Sequence, residues 1–142
     1  MRVSGFLLDT NVISELVKPQ PESTVIDWIE SVDQDILYLS VLTLGEIRKG
    51  IASLPATVRR ASLEAWLNAD LLLRFAGRIL VVDHEVADRW GQITALALAA
   101  NRPIPVIDGL LAATAIHYNL TLVSRNAKAF AATGVALYNP WP

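Results

Sequence analysis

Phe6-Leu7-Leu8-Asp9-Thr10-Asn11-Val12-Ile13-Ser14-Glu15 passes from an apolar run into a helix start, with one acid at the joint and no linker. A short run that is apolar at every position fits a strand covered on both faces, as in a parallel α/β sheet. Asp9 then stands at the carboxyl end of that strand, where open α/β sheets place their ligand crevices. The same position also suits a plain helix cap, in which the carboxylate accepts a bond from a backbone N–H.

The rest of the chain keeps alternating between the two patterns. Residues 10–17 read as a short helix, broken by Pro19 and Pro21. A second helix is expected over residues 22–31, capped by Ser23 or Thr24, with Val25, Ile26, Trp28 and Ile29 on its apolar side. Residues 36–39 read as the second strand and residues 40–53 as a helix with Val41, Leu44, Ile47 and Ile51 on one face. Residues 57–75 form a longer amphipathic helix in this reading, followed by a third strand at 79–82. Helices are expected from Asp83 or His84 to about Ala100 and over residues 107–118, the second dense in small residues. A fourth strand at 120–123, a turn of helix through Phe130 and a last strand at 135–138 complete the pattern. Strands separated by helices predict an α/β fold, and 142 residues without a linker or repeat predict one domain over 1–142.

Composition narrows the function. With no cysteine, disulfides, thiol nucleophiles and Cys-based metal sites are excluded. His84 and His117 are the only histidines, too few for a His-rich zinc site and more simply structural. No apolar run approaches the ~18 residues of a membrane helix, and Met1 to Gly5 lead straight into the first strand without an evident signal peptide. A cytoplasmic protein is expected. A net charge of −2 argues against charge-driven binding of nucleic acid, although an acidic site that recruits cations can still act on phosphates. Charged residues are only 18% of the chain against about 25% in an average soluble domain. That apolar excess points to surface buried against another chain.

Three acids stand at chemically useful places: Asp9 after the first strand, Glu46 inside the third helix, and Asp108 at the start of the helix after Pro103 and Pro105. Asn126 follows the fourth strand. Strand ends and neighbouring helix starts converge on one edge of a parallel sheet, so these residues can share a crevice. Carboxylates without His or Cys suit a hard cation such as Mg²⁺ or Mn²⁺, which serves phosphodiester hydrolysis. Each acid also has a structural explanation. Glu46 fits a capping box with Thr43, or a pair with Lys49, and Asp108 is favoured at a helix start by the macrodipole.

Leu7 to Glu15 resembles the opening motif of PIN-domain ribonucleases, particularly VapC-type toxins of bacterial toxin–antitoxin pairs. Thr43-Leu44-Gly45-Glu46-Ile47-Arg48-Lys49-Gly50 resembles their second motif and Ile107-Asp108-Gly109-Leu110-Leu111-Ala112-Ala113-Thr114-Ala115 their third. Leu120-Thr121-Leu122-Val123-Ser124-Arg125-Asn126 resembles the fourth. Phe75-Ala76-Gly77-Arg78-Ile79-Leu80 and Tyr138-Asn139-Pro140-Trp141 are similar to the FitB-like branch.

The resemblance implies a PIN fold, with a central parallel sheet of about five strands flanked by helices, and a Mg²⁺- or Mn²⁺-dependent endoribonuclease. It assigns Asp9, Glu46 and Asp108 to the catalytic site, with Asp9 and Asp108 as metal ligands. Thr10 and Asn11 shape that site, with Ser124 and Asn126 on its far wall. Many relatives carry an acid where Asn126 stands; an amide adds no charge, so one-metal catalysis is expected. Arg48, Lys49, Arg125 and Lys128 flank the motifs as candidate phosphate contacts. Expected partners are an RNA substrate, a cognate antitoxin and a second copy of the chain, with residues 57–75 and 22–31 as candidate surfaces. Trp28, Trp66 and Trp90 read as core or interface residues, Trp141 as a pin for the tail, and none as a base-stacking platform.

The alternative is a catalytically weak PIN-like module that binds RNA or an antitoxin without efficient cleavage, a reading that Asn126 keeps open. Phosphoryl transfer through an aspartyl intermediate calls for Asp-x-Asp after the first strand, and Asn11 stands in the second position.

Overall fold

The structure is a computed structural model and describes residues 5–142, so the reading of the extreme amino terminus lies outside the described residues. Among the described residues five strands form one sheet: β1 (Phe6–Leu8), β2 (Leu37–Ser40), β3 (Ile79–Leu80), β4 (Thr121–Val123) and β5 (Leu137–Tyr138). Their order is β3-β2-β1-β4-β5 and every pairing is parallel. Parallel neighbours need crossover connections, and helices supply them. They are α1 (Thr10–Glu15), α2 (Ser23–Ser31), α3 (Val41–Ala52), α4 (Val58–Ala65), α5 (Leu72–Arg74), α6 (His84–Ala99), α7 (Val106–His117) and α8 (Ala127–Phe130).

The chain lays β2 and β3 on one side of β1, then β4 and β5 on the other. The order therefore switches between β1 and β4, and a crevice opens at the carboxyl ends of those two strands. β1 shows why its run is apolar throughout. Leu8 packs with Val12, Val25, Leu39 and Phe75, whereas Leu7 faces Leu111, Ala115, Leu122 and Phe130. Alternate residues point to opposite faces, and helices cover both.

Several boundaries differ from the sequence reading. α1 ends at Glu15, not Val17, and β2 starts at Leu37 because residues 34–36 make a 3₁₀ turn capped by Asp33. α2 is preceded by Glu22 without any side-chain cap, so neither Ser23 nor Thr24 plays that part. The helix expected over residues 57–75 contains a π segment at Trp66–Leu71. Leu63, Leu67, Leu71 and Phe75 all turn towards the core at a strict four-residue repeat. An α-helix has 3.6 residues per turn and would drift off that repeat; the wider π turn absorbs the drift.

Candidate active site

Asp9 occupies the single residue between β1 and α1. It does cap the helix, since its Oδ1 accepts from the Thr10 N–H at 2.7 Å. The cap is only half of its environment. Oδ2 accepts from the Ser124 hydroxyl at 2.8 Å and from the Asn11 amide at 3.4 Å, and the residue is just 7% exposed. Ser124 follows β4 directly, so the bond spans the switch point of the sheet. The same hydroxyl accepts from the Asn126 N–H at 3.0 Å and the Asn11 amide at 3.3 Å. Its one proton is therefore committed to Asp9. Asn11 also accepts from the Arg125 N–H at 3.3 Å, so the ends of β1 and β4 are laced together.

Glu46 joins from α3. The expected capping box does not form: Ser40 caps α3 by accepting from the Leu42 N–H at 3.0 Å, and Thr43 is buried inside the helix. Nor does Glu46 pair with Lys49 among the described residues. Its Oε1 instead accepts from the Thr10 hydroxyl at 2.5 Å, which aims the carboxylate at the end of β1. Asp108 comes from the first turn of α7, after Pro105. A Cβ on the adjacent Gly109 would meet the Trp90 ring at 3.0 Å, so the missing side chain lets α6 and α7 approach beside Asp108.

Asp9, Glu46 and Asp108, carried by three different elements, line one open cavity of about 420 Å³. Thr10, Asn11 and Asn126 share its wall, and Ser124 lies just behind it, buried. Burial raises the Asp9 carboxyl above the usual aspartate range, against its bonds to Ser124 and Thr10, and the charge of Glu46 adds to the rise. Asp108 is raised by burial and by the charges of Asp9 and Glu46. The acids thus repel one another, and a cation placed among them would relieve both burial and repulsion.

Of the candidate phosphate contacts, only Arg125 lines this cavity. Arg48 is turned to the Asn68 side chain, Lys49 lines a neighbouring apolar cleft beside Glu46, and Lys128 is exposed on α8. His117 stands 3.6 Å from Glu85 in a separate cleft shared with His84, away from the three acids.

Four cavity residues, Ser14 among them, had no place in the sequence reading of the site. Glu15, 3% exposed, accepts from Lys18 Nζ at 2.9 Å and from the Glu22 N–H at 2.8 Å. Both Glu15 and Lys18 line the cavity, and their i,i+3 spacing was the available signal. Trp141 also lines it, with the Arg125 guanidinium 5.5 Å from its ring centre. That placement depends on the tail returning past the end of β1, which no local pattern announces. Trp28 behaves as expected, packed edge-on to Phe6 at 5.2 Å and tilted against Tyr138.

The donors at the cavity floor are all oxygen, which fits a hard cation. Among the described residues no three acids or histidines are gathered closely enough to hold a metal ion together. The carboxylates line an open space instead, a fit for an ion that keeps several of its waters and takes one or two protein carboxylates. Asp108 makes no hydrogen bond or ion pair with another described residue, so both its oxygens are available.

The PIN domain family matches residues 6–135. The chain is 42% identical to Toxin FitB of Neisseria gonorrhoeae over 135 residues, covering 95% of this chain and 97% of FitB. It is 37% identical to VapC ribonuclease Y4jK of Sinorhizobium fredii, covering 95% and 96%. Among solved structures, that of FitAB bound to an IR36 DNA fragment superposes with a TM-score of 0.92 at 39% identity, covering 96% of each chain.

Proposed function

Because the chain belongs to the PIN domain family, we propose that it is an endoribonuclease toxin of a toxin–antitoxin pair, hydrolysing RNA phosphodiester bonds with Mg²⁺ or Mn²⁺. In this reading residues 1–142 act as one PIN domain in the cytoplasm. The observation that carries it is the convergence of Asp9, Glu46 and Asp108 on one cavity, where burial and mutual repulsion raise Asp9 and Asp108.

Asp9 and Asp108 would hold the cation, with Glu46 beside them. When bound, the cation supplies Lewis-acid stabilisation of charge on the phosphoryl oxygens and makes water a better nucleophile. The chain's own groups supply order. Ser124 and the Thr10 N–H fix both oxygens of Asp9, and the Thr10 hydroxyl fixes one oxygen of Glu46, leaving its other oxygen to orient the attacking water. Such support keeps a site within the narrow geometry that hydrolysis needs. Asn126 contributes an amide at the rim, not a fourth charge, which favours a single cation. Arg125 stands where a substrate phosphate would enter.

FitB is named a toxin, and the FitAB structure holds an assembly on DNA. By analogy the partners proposed here are a cognate antitoxin and a second copy of this chain. Exposed apolar side chains support such contacts: Val58 and Leu73 on α4 and α5, and Leu96, Leu98 and Val106 where α6 meets α7. No helix among the described residues is long and apolar enough to cross a membrane.

The test is cleavage of a mixed RNA pool by partner-free protein. Cutting with Mg²⁺ or Mn²⁺, abolished by EDTA, supports the enzyme; absence of cutting with either ion would overturn it.

A further inference from the structure

Besides Asp9, Glu46 and Asp108, the cavity wall carries two cations, Lys18 and Arg125, and one aromatic ring, Trp141. Lys18 is held by Glu15 in an ion pair of 2.9 Å, so its charge is already matched. Arg125 forms no ion pair among the described residues and is exposed, yet it is not loose. Its backbone N–H is tied to Asn11, and its guanidinium lies 5.5 Å from the centre of the Trp141 ring. The indole is itself anchored. It packs on the core that contains Leu8 and Val123, and the backbone N–H of Trp141 donates to Asn139 Oδ1 at 2.9 Å, which sets the tail's turn.

We propose that Arg125 and Trp141 together form the subsite for the nucleotide next to the scissile phosphate in single-stranded RNA, a proposal that rests on reading the cavity as a ribonuclease site. Trp141 is a positioning residue that holds the guanidinium at the cavity mouth. Arg125 turns its N–H edge to that nucleotide's phosphate, and the base lies against the stacked pair. An arginine presents a planar fork for phosphate and a flat face for a base, which lysine cannot do. Aromatic support removes much of the freedom that a long exposed side chain would otherwise lose on binding. An unpaired base is required, because a base inside a duplex has no free face to offer.

Binding is measured by fluorescence anisotropy with an end-labelled, randomised single-stranded RNA pool, in an Asp108→Asn background that cannot cut. Steady-state cleavage is measured in parallel with Asp108 intact. Trp141→Ala and Arg125→Ala are each expected to weaken binding about tenfold. In cleavage they raise KM with little change in kcat. Trp141→Phe keeps a flat face and stays within about twofold of the parent. Arg125→Lys keeps the charge but loses most of the binding. The double alanine variant is no worse than either single one, because both remove the same unit. Trp141→Ala binding within twofold of the parent, multiplying losses in the double variant, or full function in Arg125→Lys would each overturn the proposal. Circular dichroism separates these losses from misfolding, and Trp141→Leu, which keeps apolar bulk without a flat face and is expected to lose binding as Trp141→Ala does, tests the pair should Trp141→Ala fail to fold. A parent protein that cuts RNA while Trp141→Ala changes nothing defeats this subsite alone; one that neither binds nor cuts defeats the nuclease reading as well.

Discussion

The Ser124 hydroxyl donates to Asp9 Oδ2 at 2.8 Å across 115 positions of sequence, joining the ends of the two strands between which the sheet reverses its order. One proton thus fixes the acid at the centre of the cavity. Ser124→Ala removes that donor and also leaves the Asn126 N–H without its acceptor. The variant is expected to stay folded and to lose about 10- to 100-fold in metal affinity or cleavage rate, the usual cost of losing such a supporting bond. Manganese titration by calorimetry checks it.

Asp108 illustrates the stability cost of the site. Its folded carboxyl is raised, so the folded state holds the proton more tightly than the unfolded chain does. The ionised form therefore destabilises the fold at neutral pH. This cost fades as pH falls through the raised value and is gone below the ordinary aspartate range. Asp108→Asn should raise the melting temperature in EDTA at pH 7 by about 2 °C. The gain should vanish in acid, while cleavage is lost at every pH.

Glu15 has the opposite sign. Burial alone would raise it, but the Lys18 ion pair and the Glu22 N–H outweigh burial and hold it below the usual glutamate range. Its contribution is present above the unfolded value and is lost as pH falls through the lower folded one. Glu15→Gln should destabilise the protein by about 1–2 kcal/mol at pH 7. Urea melts of variant and parent should converge in acid.

The sheet, its covered faces and three of the acids were legible because each rests on a local pattern. An unbroken apolar run marks β1, and an acid at a strand or helix boundary marks Asp9 and Asp108. Glu46 was legible as a residue but not as a contact: its capping box with Thr43 is sound by spacing, yet Ser40 takes the cap and Glu46 turns to Thr10. That outcome depends on α1 and α3 meeting, which is tertiary. Trp141 was legible as a pin for the tail but not as a neighbour of Arg125, since only the folded tail brings the two together. Among the basic residues, sequence proximity to a motif did not distinguish Arg125 from Arg48, Lys49 and Lys128, which the helices carry elsewhere.

The central claim is that this cavity cuts RNA rather than only holding it. It is tested most directly by comparing the parent with Asp9→Asn, scoring both RNA cleavage in Mn²⁺ and RNA retention in the same samples. The account predicts that the parent cuts, that the variant does not, and that the variant still retains RNA through Arg125 and Trp141. Retention without cutting by the parent itself would contradict the account and make the chain an RNA-binding module.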